Sequence, residues 1–250
     1  MSIQVEEISK AFGPKVVLDG ISLEVNEGET VAIIGASGVG KSVLLKTIVG
    51  LLEPDRGRVV VDGEVVTELT RDELYRLRRR VGYVFQFAAL FDSMTVEENL
   101  RMGLRRMREL DEAERAARVE EALRLVELEG YGPQMPGQLS GGQRKRVGLA
   151  RAVALKPKYL LYDEPTTGLD PVTTAVIDHL ILKMDQELGV TSVVVTHDMT
   201  SAYRVADRIA MLYDGRIRTV GTPAEIQATE DPIVRGFIEG RPELMQESVA

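Results

Sequence analysis

The chain has 250 residues, 44% of them hydrophobic and 28% charged, with 31 Lys and Arg against 39 Asp and Glu and a formal net charge of -8. This length is enough to bury a substantial core as one large domain. The acidic balance argues against a broad grip on nucleic acid, which needs a positive face, and the absence of cysteine excludes disulfides and cysteine-ligated metal. The charged start "MSIQVEEISK" does not read as a secretory leader, and no apolar run is long enough to span a bilayer. A soluble, cytosolic chain is expected, reaching a membrane only through a partner.

In chain order, the first third carries Val- and Ile-rich runs, "IQVEEI", "ISLEV", "TVAIIG", "RVVVDG" and "VGYVF". Short turns such as "NEG" and "DGE" separate the early runs and predict an antiparallel sheet. The third run leads into "GASGVGKS", Gly35 to Ser42, and then into an amphipathic "VLLKTIVGLL". Strand, G-x-x-x-x-G-K-S loop and helix follow in the order a phosphate-binding loop requires. Gly35, Gly38 and Gly40, with Ser37 among them, let backbone N–H groups turn inward onto phosphate oxygens, and the helix N-terminus faces the same anion. Lys41 is placed to reach the β- and γ-phosphates and the Ser42 hydroxyl to ligate Mg²⁺.

From Thr95 to Glu129 the pattern predicts a long helical stretch, with charges on most turns and Leu, Val and Met at helical spacing. Then "SGGQRKRVGLARAV" places Ser140 as a helix N-cap, with Gly141 and Gly142 exposing N–H groups. This second anion-binding end has no lysine, Mg²⁺ ligand or base of its own, so it is half a site. The run "YLLYDEP" ends a buried strand in two carboxylates. Asp163 is placed to hold the Mg²⁺ shell, and Glu164 to orient or deprotonate an attacking water. Strands "TSVVVTHD", "RIAMLYDG" and "RIRTVG" follow, alternating with helices as a parallel α/β sheet would. These residues together read as a nucleoside triphosphatase. Of the two histidines, His197 ends an apolar strand, whereas His179 sits mid-helix and reads as structural.

With these motifs in hand, the chain resembles the ATP-binding cassette (ABC) ATPases over nearly its whole length. "LSGGQ", Leu139 to Gln143, is similar to the family signature, Gln86 in "VFQF" to the Q-loop glutamine, Gly168, Leu169 and Asp170 to the D-loop, and His197 to the switch histidine. The resemblance implies an α/β fold with a RecA-like P-loop core, an N-terminal antiparallel β subdomain and a helical signature subdomain. It implies one ABC domain over residues 1–250: core in 1–86 and 157–228, helical part in 87–156, and a tail in 229–250. It further implies ATP and Mg²⁺ as ligands. Phe12 would stack on adenine with Val17 beside it, though Phe12 also suits plain strand packing. Gln86 would sense Mg²⁺, His197 would contact the γ-phosphate, and Ser140, Gly141, Gly142, Gln143 and Asp170 would serve the nucleotide of a second cassette. That makes the chain a homodimer. At Val43, many relatives carry a hydroxyl that touches the α-phosphate.

The apolar stretch "FQFAALFDSMTVEENL", Phe85 to Leu100, reads either as core or as a groove for a helix of a membrane permease. Its Ala89, Leu90, Phe91, Met94, Thr95 and Val96, together with "EDPIVRGFIEG" near the end, resemble the ATPases of Mla-type, MCE-associated phospholipid transporters. This implies a permease, an MCE-type lipid-binding protein, a STAS-like subunit as an option, no nucleic acid, and a place on the cytoplasmic face of a bacterial inner membrane. An ABC transporter for an amino acid, metal chelate or drug is the alternative, and a non-transport ABC protein a more distant one. The basic run "YRLRRR", Tyr75 to Arg80, reads as a solvated helix face.

Overall fold

A computed structural model describes residues 2–245; the last five residues of the expected 229–250 tail lie outside the described part. In chain order the elements are β1 (Ile3–Phe12), β2 (Lys15–Val25), β3 (Thr30–Ile34), α1 (Lys41–Ile48), β4 (Arg56–Val61), β5 (Glu64–Val65), α2 (Arg71–Arg79) and β6 (Val81–Val84). Then come α3 (Val96–Leu104), α4 (Glu112–Leu125), α5 (Gly141–Val153), β7 (Tyr159–Asp163), α6 (Pro171–Leu188), β8 (Thr191–Thr196), α7 (Met199–Val205), β9 (Arg208–Tyr213), β10 (Arg216–Gly221), α8 (Pro223–Gln227) and α9 (Pro232–Ile238). The chain forms two compact units, one of Met1–Leu74 with Val193–Ala250 and one of Tyr75–Ser192.

In the first unit, β2, β1, β4 and β5 lie side by side as an antiparallel sheet. β3 runs parallel to β9, which pairs antiparallel with β10. β3 is the Val/Ile-rich run "TVAII", buried at every position, as a strand covered on both faces must be. Ala32 and Ile34 of β3 join Ile209 and Met211 of β9 in a core that also takes in Ile226, Ile233 and Val234. The described part of the C-terminal tail is therefore core of its own chain: α9 is capped by Asp231, begins at Pro232 and buries its apolar face there.

In the second unit, β6 runs parallel to β7 with Tyr83 beside Leu161 and Val84 beside Tyr162. The helical stretch expected over Thr95–Glu129 holds two helices. Thr95 starts α3 with a capping box to Glu98, and Asp111 starts α4 with a second one to Glu114. A fresh N-cap at Asp111 stops the pattern from running through, because its side chain satisfies N–H groups that a continuous helix would pair internally. In "YRLRRR", read as a solvated face, Tyr75 and Arg76 are exposed, Leu77 is buried and Arg78 to Arg80 are half-buried, with Arg79 paired to Glu109.

Asn99 of α3 is fully buried and ties down the loop before its helix. Its carbonyl accepts from Phe91 N at 2.8 Å, and its amide donates to the carbonyls of Phe91, Met94 and Thr95 at 3.1, 3.1 and 2.9 Å. Asn99→Ala leaves these loop groups without their partner, and we expect a loss of about 1–3 kcal/mol. Urea unfolding and the rate of protease cleavage between residues 91 and 95 check this; an unchanged midpoint with an uncut loop contradicts it.

Candidate active site

The expected site residues fall on both units. In the first, the loop between β3 and α1 begins with Gly35 at φ 151° and ends with Gly40 at φ 116°, conformations that L side chains avoid. Space is equally short. A Cβ on Gly35 would lie 2.4 Å from the Leu212 carbonyl oxygen, and one on Gly40 2.9 Å from Val17 Cγ1. Val17 therefore packs on the loop's end, as its proposed nearness to a nucleotide requires. The Lys41 ammonium is buried and donates to the carbonyls of Gly35 and Ala36 at 2.7 and 3.1 Å, spanning the loop from within.

This loop suits a phosphate. The start of α1 has no side-chain cap and no acidic residue in its first turn, so the positive end of its dipole meets no carboxylate of its own helix and favours an anion. Ser37 and Gly38 are exposed, and Ser42 and Val43 half-buried. The Val43 carbonyl accepts from the Thr47 hydroxyl at 2.9 Å. Phe12, 48% exposed at the end of β1, has the Lys10 ammonium 5.8 Å from its ring centre. His197 is exposed just beyond β8, and Asp198, the next residue, caps α7. His179 is exposed on α6, in the second unit.

In that unit, Asp163 and Glu164 end β7 and are only 6% and 8% exposed. The Tyr83 hydroxyl donates to Asp163 Oδ2 at 2.9 Å. Burial, with the Asp163 charge and hydrogen bond, drives the Tyr83 pKa far above its ordinary value, so this group stays a donor. Glu164 has φ 51°, and its carboxylate accepts from the Thr167 hydroxyl at 3.0 Å. A serine hydroxyl in the loop and a buried carboxylate are oxygen ligands of the kind Mg²⁺ takes together with phosphates and water. Among the described residues no cluster of three or more His, Asp or Glu could hold a metal by itself.

The signature segment is also in the second unit. Ser140 and Gln143 close a capping box: Gln143 N donates to Ser140 Oγ at 3.2 Å, and Ser140 N to Gln143 Oε1 at 2.8 Å. Gln143 Nε2 reaches the Tyr131 hydroxyl at 3.1 Å. Gly141 faces open space, whereas a Cβ on Gly142 would meet Thr173 Cγ2 at 2.5 Å. The start of α5 thus lies against the start of α6. Asp170 caps α6, accepting from the N–H groups of Val172 and Thr173 at 3.0 Å each and from the Thr173 hydroxyl at 2.5 Å. The Thr173 hydroxyl first and its N–H second hold the Asp170 carboxyl below the usual range.

Gln86 is half-buried after β6. Beyond it Ala88 and Ala89 both take positive φ, 58° and 47°, and the Arg151 guanidinium of α5 donates to their carbonyls at 2.6 Å each. The side chains that hold these segments, Tyr83, Asn99, Arg151 and Thr167, were not singled out by the sequence reading. Asn99 is the sole polar residue of "ENL" facing inward; nothing in spacing marks the others.

Comparison with known proteins completes the picture. The family model "ABC transporter" matches residues 18–167. The chain belongs to the ABC transporter family. Relatives include the sulfate/thiosulfate import ATP-binding protein CysA of Caulobacter vibrioides, 45% identical over 95% of this chain and 70% of that protein. Another is the probable ribonucleotide transport ATP-binding protein mkl of Mycobacterium leprae, 39% identical over 96% and 70%. The chain thus spans 70% of the length of these two relatives. Among solved structures, the ABC cassette MJ0796 in a dimeric post-hydrolysis state with ADP and Pi is 37% identical with a TM-score of 0.81, covering 88% of this chain and 98% of that one. The cbiO1 protein of Clostridium perfringens is 33% identical with a TM-score of 0.84, covering 97% and 96%. The ABC ATPase fold expected from the motifs is the fold observed, and this ABC ATPase binds ATP with Mg²⁺ and couples its hydrolysis to transport as a transporter subunit.

Gly40→Ala puts a methyl onto Val17 and Leu18 in a backbone conformation alanine avoids. With strain of about 1–3 kcal/mol, the affinity for a fluorescent ATP analogue is expected to fall about tenfold or more. Titration of the purified variant checks it; unchanged affinity contradicts the cradle.

Proposed function

We propose that this chain is the ATPase subunit of a bacterial transporter that moves phospholipid across or between envelope membranes. Two copies would pair with a multi-spanning permease and an MCE-type lipid-binding protein, with a STAS-like subunit as a further component. The observation that carries this reading is the loop from Phe85 to Leu100. Phe87 is 83% exposed and Phe91 48%, yet Asn99 fastens the Phe91 backbone and Arg151 the carbonyls of Ala88 and Ala89 between them. Large apolar side chains on a fixed loop suit a partner helix. The residues Ala89, Leu90, Phe91, Met94, Thr95 and Val96 there resemble the Mla-type subgroup. Among the described residues no helix is long and apolar enough to cross a membrane, in keeping with attachment to the cytoplasmic face through a permease.

The residue roles follow from chemistry. The N–H groups of Gly35 to Ser42 and the Lys41 ammonium bind the β- and γ-phosphates. Ser42, Asp163 and Gln86 hold Mg²⁺, which when bound neutralises phosphate charge and orients the triphosphate. Glu164 orients and deprotonates the attacking water, and His197 stabilises charge on the γ-phosphate. Phe12 stacks on adenine with Val17 beside it. Ser140, Gly141, Gly142 and Gln143 present the start of α5 to the nucleotide of the second copy, with Asp170 setting the neighbouring turn.

A second reading is sulfate import, favoured by the 45% identity to CysA. Affinity purification of the tagged chain from solubilised membranes, with mass spectrometry of proteins and lipids, decides the cargo. Recovery of an MCE-type protein and phospholipid is the expected result. A sulfate-type permease without lipid overturns the lipid reading and leaves the ATPase intact. For the mechanism, Glu164→Gln should lower kcat by about 100-fold or more while keeping ATP affinity. In size-exclusion chromatography it should run as a dimer with ATP. Turnover near that of the wild type contradicts the assignment of the base.

A further inference from the structure

Glu164 sits at a difficult place in the backbone. Its φ of 51° is left-handed, costly for a residue with a Cβ. The next residue is Pro165, which has no N–H with which to fasten the turn. Within the turn, Thr167 N donates to the Glu164 carbonyl at 3.3 Å. A donor from another element is Lys145, on the second turn of α5. Its ammonium donates to the Pro165 carbonyl at 2.8 Å and reaches the Glu164 carbonyl at 3.4 Å. The lysine is half-buried in a cleft lined by Val84, Phe85, Leu149, Pro165 and Ile177.

We propose that Lys145 is a positioning residue for ATP hydrolysis: it ties the turn that aims the Glu164 carboxylate to the helix that begins at the signature glycines. The inference rests on Glu164 acting as the base. It gives α5 two grips behind the chemistry, Lys145 on the Glu164–Pro165 turn and Arg151 on the Ala88–Ala89 turn. A shift of the signature helix therefore drags the base's backbone with it. Hydrolysis by one copy becomes sensitive to whether its own signature is seated.

The side chains lining the cleft carry no charge, and Glu164 is the titratable group that acts on Lys145. Burial pulls the lysine pKa down to about 8, with the Glu164 charge opposing. The sign is then fixed: the ammonium is charged and holds both carbonyls at neutral pH, and the charge is lost as pH rises through about 8.

Steady-state hydrolysis by the full-length chain as co-purified from membranes tests this, across pH about 6 to about 10. Lys145→Met should lower kcat about tenfold with KM for ATP within about twofold, and Lys145→Arg should recover most of the loss. Wild-type kcat should fall on the alkaline side with a midpoint near 8, a limb absent from both variants because neither methionine nor arginine titrates there. A wild-type kcat that stays flat through this range overturns the proposal without recourse to any variant. So does a methionine variant with kcat within about twofold of wild type, or one whose kcat and ATP affinity collapse together. Glu164→Gln, run in parallel, separates the two readings. Full turnover in that variant fails the base; a dead Glu164→Gln beside an unaffected Lys145→Met keeps the base and fails the clamp.

Discussion

Helix α5 can approach its neighbours closely only because two of its positions carry no side chain. A Cβ at Gly142 would overlap Thr173 of α6, and one at Gly148 would sit 3.2 Å from the Ala88 Cβ and 3.3 Å from its Cα. With both absent, the helix lies against the start of α6 at one end and the turn after Gln86 further along. At these separations the polar side chains of α5 reach carbonyls rather than water. Arg151 and Lys145 then satisfy backbone groups in two turns that are otherwise strained, Ala88–Ala89 and Glu164–Pro165. A methyl at either glycine would lengthen these hydrogen bonds together, so the packing constraint and the polar contacts form one device. The strain is local and the compensation comes from a single rigid element, an economical way to hold several unusual backbone conformations at once.

The two glycine-rich helix starts solve different problems. At α1 no side chain caps the N-terminus, and Lys41 adds a charge from inside the loop. At α5 the cap is filled by Ser140 and Gln143 of the same helix, so the end is already ordered without a ligand. An anion approaching α5 meets a preformed dipole end with Gly141 open to it but finds no ammonium in the capping segment. Under the proposed roles, the first end would hold phosphate by itself, and the second would add to a phosphate that another copy holds.

Most of the fold was legible in the sequence because its signals are local. The strand "TVAII" is buried on both faces, as its run of β-branched residues says, and the loop glycines announce positive φ through their spacing. Within the helical stretch from Thr95 the break itself is not marked, because hydrophobic periodicity survives it and the cap at Asp111 is a single residue among many acidic ones. In the candidate site, motifs mark the residues that the chemistry would require by type, Lys41, Ser42, Asp163 and Glu164. No motif marks the side chains that pack around them. Tyr83 lies on β6 between Gly82 and Val84, and its bond to Asp163 depends on the register of β6 against β7. Lys145 and Arg151 act through backbone carbonyls, which have no sequence signature, so a charged helix face and a pair of anchors look alike until the fold is known.

The same distinction governs how far similarity can carry the question of cargo. Identities of 39% and 45% to proteins named for different substrates are what a shared motor predicts. The P-loop, the acidic strand end and the signature are fixed by phosphate chemistry, whatever is moved. Cargo enters through the partner, and the partner meets side chains that the motor does not need. Phe87 and Phe91 differ from the catalytic candidates: their rings are exposed, while Asn99 holds the Phe91 backbone and Arg151 the carbonyls of Ala88 and Ala89. Exposed apolar surface contributes nothing to hydrolysis, so under the proposed lipid reading it is these side chains, rather than the catalytic core, that would distinguish one cargo from another.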